Sequence, residues 1–147
     1  MVKERDIAPD FRLLDDKGIP HTLSQYAGKY VLVYFYPKDD TPGCTTEACT
    51  LRDAYADFER LGVVVIGISK DSTDSHKKFA EKYNLPFILL SDPERIAITA
   101  YGARGGVATR RISYLIGPDG KVIKAYPKVD PAAHAGEILA DLLSILK

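Results

Sequence analysis

The chain has 147 residues, 46% hydrophobic and 27% charged, with 20 basic against 20 acidic side chains. That length suits a single domain, residues 1–147, whose core needs no disulfide or metal staple. A zero formal net charge argues against a partner made of nucleic acid or anionic membrane, and no apolar run approaches the ~20 residues of a bilayer span.

The charged start Lys3-Glu4-Arg5-Asp6 does not read as a signal peptide. The expected address is the cytoplasm, where Cys44 and Cys49 should be reduced and any pairing between them is chemistry rather than a staple. In chain order, Phe11–Leu14 and Ile19–Leu23 flank Asp15-Asp16-Lys17-Gly18 and predict an N-terminal β-hairpin. Tyr30–Tyr36 is apolar or aromatic throughout, a strand covered on both faces, and Pro37 ends it. A helix follows to Leu61, stopped by Gly62. Val63–Ser69 predicts a second buried strand, Ser72–Tyr83 a helix, Phe87–Leu90 a third strand and Pro93–Tyr101 a short helix. Gly102-Ala103-Arg104-Gly105-Gly106 reads as a loop. Ile112–Ile116 and Val122–Tyr126 surround Pro118-Asp119-Gly120, a hairpin signal. Pro131 opens a last amphipathic helix carrying Ile138, Leu139, Leu142, Leu143 and Leu146. The pattern is α/β: a mixed central sheet flanked by helices.

The chemistry concentrates in Tyr36–Cys49. Thr41 suits an N-cap and Pro42 the first helical position, which makes Cys44 the third residue of the helix. A capping hydroxyl would bring Thr41 next to Cys44, among unpaired N–H groups at the positive end of the helix dipole, where a thiolate is favoured. At about 100° per residue, Ala48, Leu51, Tyr55 and Phe58 share the core-facing stripe with Cys44, and Cys49 lies about 140° away. Five helical residues separate two Cα atoms by about 8.7 Å, beyond the ~7 Å limit of a disulfide. The cysteines can therefore join only after the first turns of the helix melt. This spacing predicts that Cys44 attacks an electrophile and becomes a sulfenic acid. Cys49 then condenses with it once the helix start unfolds.

The segment Pro37-Lys38-Asp39-Asp40-Thr41-Pro42-Gly43-Cys44 resembles the signature of the peroxiredoxins, thiol peroxidases on a thioredoxin-like fold. The second cysteine five places on is similar to the bacterioferritin-comigratory or Q-type subfamily. A looser likeness runs from Ala8-Pro9-Asp10-Phe11 to the C-terminal helix. The resemblance implies that Cys44 is peroxidatic and Cys49 resolving, that Thr41 hydrogen-bonds the peroxide, and that Pro37 shields the site. It implies an arginine near the thiolate on a late strand, which Arg111-Ile112-Ser113-Tyr114 fits. Two features depart from the pattern. Tyr101–Arg110 is shorter than in many relatives, and Arg110 precedes Arg111. Strand alternation separates Arg111, Ser113 and Leu115 from Arg110, Ile112 and Tyr114, and the family spacing selects Arg111.

Taken alone, Thr41 reads as a cap, Pro37 as a strand end, Asp39 and Asp40 as a solvated turn, and Glu47 as an acid suited to the dipole. His21, His76 and His134 show no ligand spacing, so no metal site is expected, and the chemistry needs no organic cofactor. The leading reading is a peroxidase that reduces hydrogen peroxide and small organic hydroperoxides. An external dithiol protein such as thioredoxin recycles it, and the intrachain cysteine pair lets it work as a monomer. Two alternatives are a thiol–disulfide oxidoreductase, whose usual C-x-x-C is absent, and a non-enzymatic redox sensor or holdase on the same fold.

Overall fold

The computed structural model describes residues 2–146. Its strands are β1 (Arg12–Asp15), β2 (Pro20–Thr22), β3 (Tyr30–Phe35), β4 (Val63–Ser69), β5 (Ile88–Ser91), β6 (Arg104–Gly105), β7 (Ala108–Thr109), β8 (Ile112–Ile116) and β9 (Val122–Tyr126). Its helices are α1 (Pro42–Asp53), α2 (Tyr55–Arg60), α3 (Thr73–Tyr83), α4 (Ile96–Ala100) and α5 (His134–Ile145). Seven strands form one mixed sheet in the order β2-β1-β5-β4-β3-β8-β9, with β3, β4 and β5 parallel and the other pairings antiparallel. β1 and β2 form the expected hairpin, Arg12 opposite Thr22. None of the helices among the described residues is long and apolar enough to cross a membrane.

The central strands are apolar on both faces because both faces are covered. On β3, Val31, Val33 and Phe35 join a core with Phe11, Ile98, Tyr101 and Tyr114. Leu32, Tyr34 and Tyr36 join the opposite core with Cys44, Leu51, Phe58, Phe79 and Ile138, from α1, α2, α3 and α5. The sheet thus separates two cores, and Cys44 at the start of α1 belongs to the second.

Four details depart from the sequence expectations. The helix expected to reach Leu61 breaks at Ala54 (φ −94°, ψ 1°), dividing it into α1 and α2. The break lets Tyr55 pack on Phe87, ring centroids 6.4 Å apart, while Phe58 is fully buried. Short α4 starts at Ile96 rather than Pro93, because the Asp92 carboxylate accepts from the N–H groups of Ile96 and Ile98 at 2.9 and 2.8 Å and Arg95 is left-handed. Pro131 opens a turn, closed by hydrogen bonds from Ala133 and His134 to the Asp130 carbonyl, and α5 begins only at His134. The stretch read as a loop after Gly102 contains a small hairpin, β6 with β7.

Candidate active site

The sheet register brings distant residues to the start of α1. β3 runs up to Phe35, and Phe35 pairs with Ile112 on antiparallel β8. Arg111 therefore enters β8 beside the point where the chain leaves β3 for α1. Its guanidinium bridges the first turns of that helix. Nη2 lies 3.4 Å from Cys44 Sγ, and Nη1 donates to Glu47 Oε1 at 2.8 Å. Arg110 takes the other side and packs against Gly105. Leu115 shares the core that holds Cys44, whereas Ile112, Tyr114 and Ile116 face the other, as strand alternation requires.

Cys44 is 1% exposed. The first intrahelical bond of α1 runs from the Thr45 N–H to the Thr41 carbonyl, at 2.8 Å. The N–H groups of Gly43 and Cys44 therefore have no acceptor within the helix. The sulfur thus sits at the positive end of the helix dipole with a guanidinium alongside. Burial works against the Arg111 charge, but Cys44 and Glu47 more than restore it. Tyr34 and Tyr36 belong to the same core and stack at 5.4 Å. Tyr34 lies so close over β4 that a Cβ on Gly67 would come within 2.7 Å of its ring.

Thr41 has the extended backbone of an N-cap (φ −96°, ψ 156°), but its side chain does not cap. Its hydroxyl donates to the Lys38 carbonyl at 2.7 Å instead. Left-handed Asp40 (φ 58°) curls the turn so that this local acceptor competes for the hydroxyl. The expected Thr41–amide bond is therefore absent. Pro37 is half-buried in the turn leaving β3. Cys49 is a free, half-buried thiol on α1, and the helix is unbroken from Pro42 to Asp53. The cysteines are thus held apart by the helical spacing calculated from the sequence.

Two site residues escaped the sequence reading. Glu47, read as an acid suited to the helix dipole, is fully buried. Burial pushes its carboxyl up to about 7, against the pull of Arg111, and Oε2 has no hydrogen-bond partner. The available signal was its position three residues after Cys44, on the same helical face. Gly43 was the other. A Cβ there would sit 2.9 Å from Arg111 Nη2 and 3.8 Å from Pro131, so only glycine leaves the guanidinium its path. A glycine inside a helix costs about 1 kcal/mol against alanine, and that disfavoured placement was the clue. Asp39, expected in a solvated turn, is also buried, 7% exposed.

The raised Glu47 pKa fixes a sign. Its carboxyl titrates near 4.5 when unfolded and about 7 when folded. The stability supplied by the neutral carboxyl is complete below pH 4.5 and is lost as pH rises through 7. The loss is on the order of 3 kcal/mol. Urea unfolding of the wild type should therefore show a fall between pH 4.5 and pH 8 that Glu47→Gln lacks. Parallel pH profiles for the two proteins would reject this account.

Known proteins share this architecture. The family model described as AhpC/TSA family matches residues 5–125. Peroxiredoxin Bcp of Bacillus subtilis (strain 168) is 44% identical over 143 residues, spanning 92% of this chain and 91% of that protein. The chloroplastic peroxiredoxin Q of Sedum lineare is 44% identical over 141 residues, spanning 93% and 76%. Among solved structures, a mutant peroxiredoxin Q from Xylella fastidiosa matches with a TM-score of 0.95 at 29% identity, covering 100% of this chain and 99% of that one. The bacterioferritin comigratory protein of Xanthomonas campestris, studied for its alkyl peroxide reduction, matches at 0.91 with 32% identity, covering 100% and 99%. Sequence and architecture agree from the first strand to the last helix: the chain belongs to the AhpC/TSA family, in the Bcp/Q-type branch of the peroxiredoxins, thiol-dependent peroxidases on a thioredoxin-like fold.

Proposed function

We propose that Cys44 is the peroxidatic and Cys49 the resolving cysteine of this peroxidase, and that Arg111 and Thr41 orient the peroxide between them. The observation that carries this reading is the 3.4 Å contact of Arg111 Nη2 with Cys44 Sγ. The Cys44 thiolate attacks the terminal peroxide oxygen. The S–O bond forms as the O–O bond breaks, and the departing oxygen leaves as water or alcohol after taking the proton that the thiol gave up. Charge grows on that oxygen, and the guanidinium and the open α1 amides are the donors placed to meet it. The Thr41 hydroxyl has its proton committed to Lys38, so it offers lone pairs to the peroxide O–H. Pro37, half-buried beside it, keeps water off the turn.

The sulfenic acid then condenses with the Cys49 thiol to a disulfide, releasing one water. A dithiol protein of the thioredoxin kind reduces the bond by exchange. One chain carries both cysteines, so a monomer suffices for the cycle. The substrates are hydrogen peroxide and small organic hydroperoxides.

One equivalent of peroxide added to the reduced chain should consume both thiols and yield a single crosslink between the peptides of Cys44 and Cys49. Amide exchange across Pro42–Leu51 should accelerate in that oxidised form. Thiols that survive the peroxide would defeat the peroxidase assignment. A crosslink formed with unchanged protection across Pro42–Leu51 would defeat the melting step.

A further inference from the structure

One buried histidine has no part in this chemistry. His76 lies on α3 with no exposed surface. Both its ring nitrogens face acceptors: Nδ1 is 2.6 Å from Asp39 Oδ2, and Nε2 is 2.9 Å from the Leu90 carbonyl of β5. A carbonyl has no proton to give. The Asp39 carboxylate already accepts from Tyr36 Oη at 2.6 Å and Ser75 Oγ at 2.8 Å. Three donors converging on Asp39 favour its ionised form, and a carboxylate on one side with a carbonyl on the other calls for an N–H at each ring nitrogen, the pattern of an imidazolium. A neutral ring would fit these atoms only with the shared proton moved onto Asp39. The ionisable groups facing the ring are Asp39 from the turn before α1, Asp71 from the segment after β4, and the Tyr36 phenol from the end of β3. Burial lowers its proton affinity, but Asp39 outweighs burial and holds it above the ordinary 6.5.

The partner carboxylate is placed to matter. Asp39 sits in the turn that delivers Cys44, and its own N–H donates to Asp71 Oδ2 at 2.9 Å. The next residue, Asp40, binds the far end of α3 through Lys82 Nζ at 2.8 Å and Tyr83 Oη at 2.9 Å. The Asp40 contacts are exposed, where solvent weakens an ion pair; the Asp39–His76 pair is dry. Removing one partner of a buried pair leaves the other charge uncompensated, which is why such a contact holds firmly.

We propose that His76 and Asp39 form a proton-operated latch on the turn that carries Cys44. The imidazolium keeps the turn docked on α3 and α1 intact, and loss of its proton frees the turn for the melting that lets Cys49 reach Cys44. This rests on the Cys44–Cys49 cycle proposed above. His76 touches neither sulfur, so it is a positioning residue. When the turn leaves, the buried ring loses its counter-ion and binds its proton less tightly. The docked form is therefore favoured at low pH, and its advantage fades as pH rises through the raised pKa of the docked ring, above 6.5. A cleft of about 350 Å³ lined by Asp39, Ser75 and Lys78 gives that proton a way to water. In acid the latch holds the sulfenic acid in place longer, so over-oxidation per turnover should rise as pH falls.

Nitrogen-15 spectra of labelled histidine test the linkage directly. In the reduced chain at pH 6 both His76 nitrogens should carry protons. In the Cys44–Cys49 disulfide form the titration midpoint should fall by about one unit or more, a tenfold drop in proton affinity. In parallel, amide exchange across residues 39–46 of reduced Glu47→Gln, which lacks the carboxyl that titrates at about 7 in the same helix, should rise up to about tenfold per pH unit through that midpoint once corrected for its intrinsic pH dependence. Adding His76→Gln or Asp39→Asn to Glu47→Gln should give fast exchange at every pH, without the step; the nitrogen-15 spectra need no variant, so they decide the matter if any of these fails to fold. A neutral His76 at pH 6, or one midpoint shared by reduced and disulfide forms, would overturn the latch and leave the peroxidase standing. Failure of peroxide to produce the disulfide would remove both.

Discussion

Cys44→Ser is expected to abolish peroxide consumption, while Cys49→Ser oxidises once at the wild-type rate and then stalls. Both residues are free thiols on one helix, but their surroundings differ. Cys44 has the Arg111 guanidinium at 3.4 Å and sits in the first turn of α1, next to open amides. Cys49 lies more than a turn further on, where the backbone amides are spent on helical bonds. A serine hydroxyl at position 44 is a far weaker nucleophile than a thiolate at neutral pH, and the exchange of sulfur for oxygen barely changes volume, so the fold should persist. The measurement is peroxide decay with a dithiol protein as reductant, beside a single-turnover titration of thiols. Cys49→Ser should regain cycling only when a small thiol is added to take over resolution. The same assay separates the rival readings. A redox sensor would oxidise once and stop even with both cysteines present. A disulfide exchanger would act on mixed disulfides and be slow with peroxide. Peroxide turnover at full rate by Cys44→Ser would end the assignment.

Arg111→Met should slow the first oxidation of Cys44 by about 10²–10³, the usual cost of removing a preorganised donor from a developing oxyanion. Methionine matches the length and apolar body of arginine but donates nothing. Arg111→Lys should recover only part of the rate. An ammonium on a shorter, flexible stem lacks the fixed fork with which the planar guanidinium meets Cys44 Sγ and Glu47 Oε1 through two nitrogens. Gly43→Ala should move activity the same way by a smaller factor, because its new Cβ would press on Arg111 Nη2. The readout is the second-order rate of sulfenic acid formation, followed separately from disulfide formation. Resolution by Cys49 should be much less affected, since the arginine is proposed to act on the departing oxygen. An Arg111→Met rate within threefold of wild type would show that the 3.4 Å contact is packing alone.

Much of this was legible along the chain because its causes are local. Strand and helix periods mark β3, β4, β8, β9 and α1, and a proline after a threonine marks where α1 begins. Helix geometry alone keeps Cys44 and Cys49 apart. Alternation on β8 correctly divided Leu115 from Ile112 and Tyr114. Other features depended on surroundings that the segment itself does not contain. The break at Ala54 answers to Tyr55 packing on Phe87. The Thr41 hydroxyl was lost to Lys38 through the left-handed Asp40. The burial of Glu47 beside Arg111 depends on β8 pairing with β3, which brings Arg111 to α1. Arg111 meets a cysteine 67 positions away, and Asp39 meets a histidine 37 positions away. Local pattern determined which residues could react and how far apart the helix would hold them. Only the register of β8 on β3 decided which charge meets the sulfur, and only the docking of α3 decided what holds its turn, because electrostatic environment belongs to neighbours in space rather than in sequence.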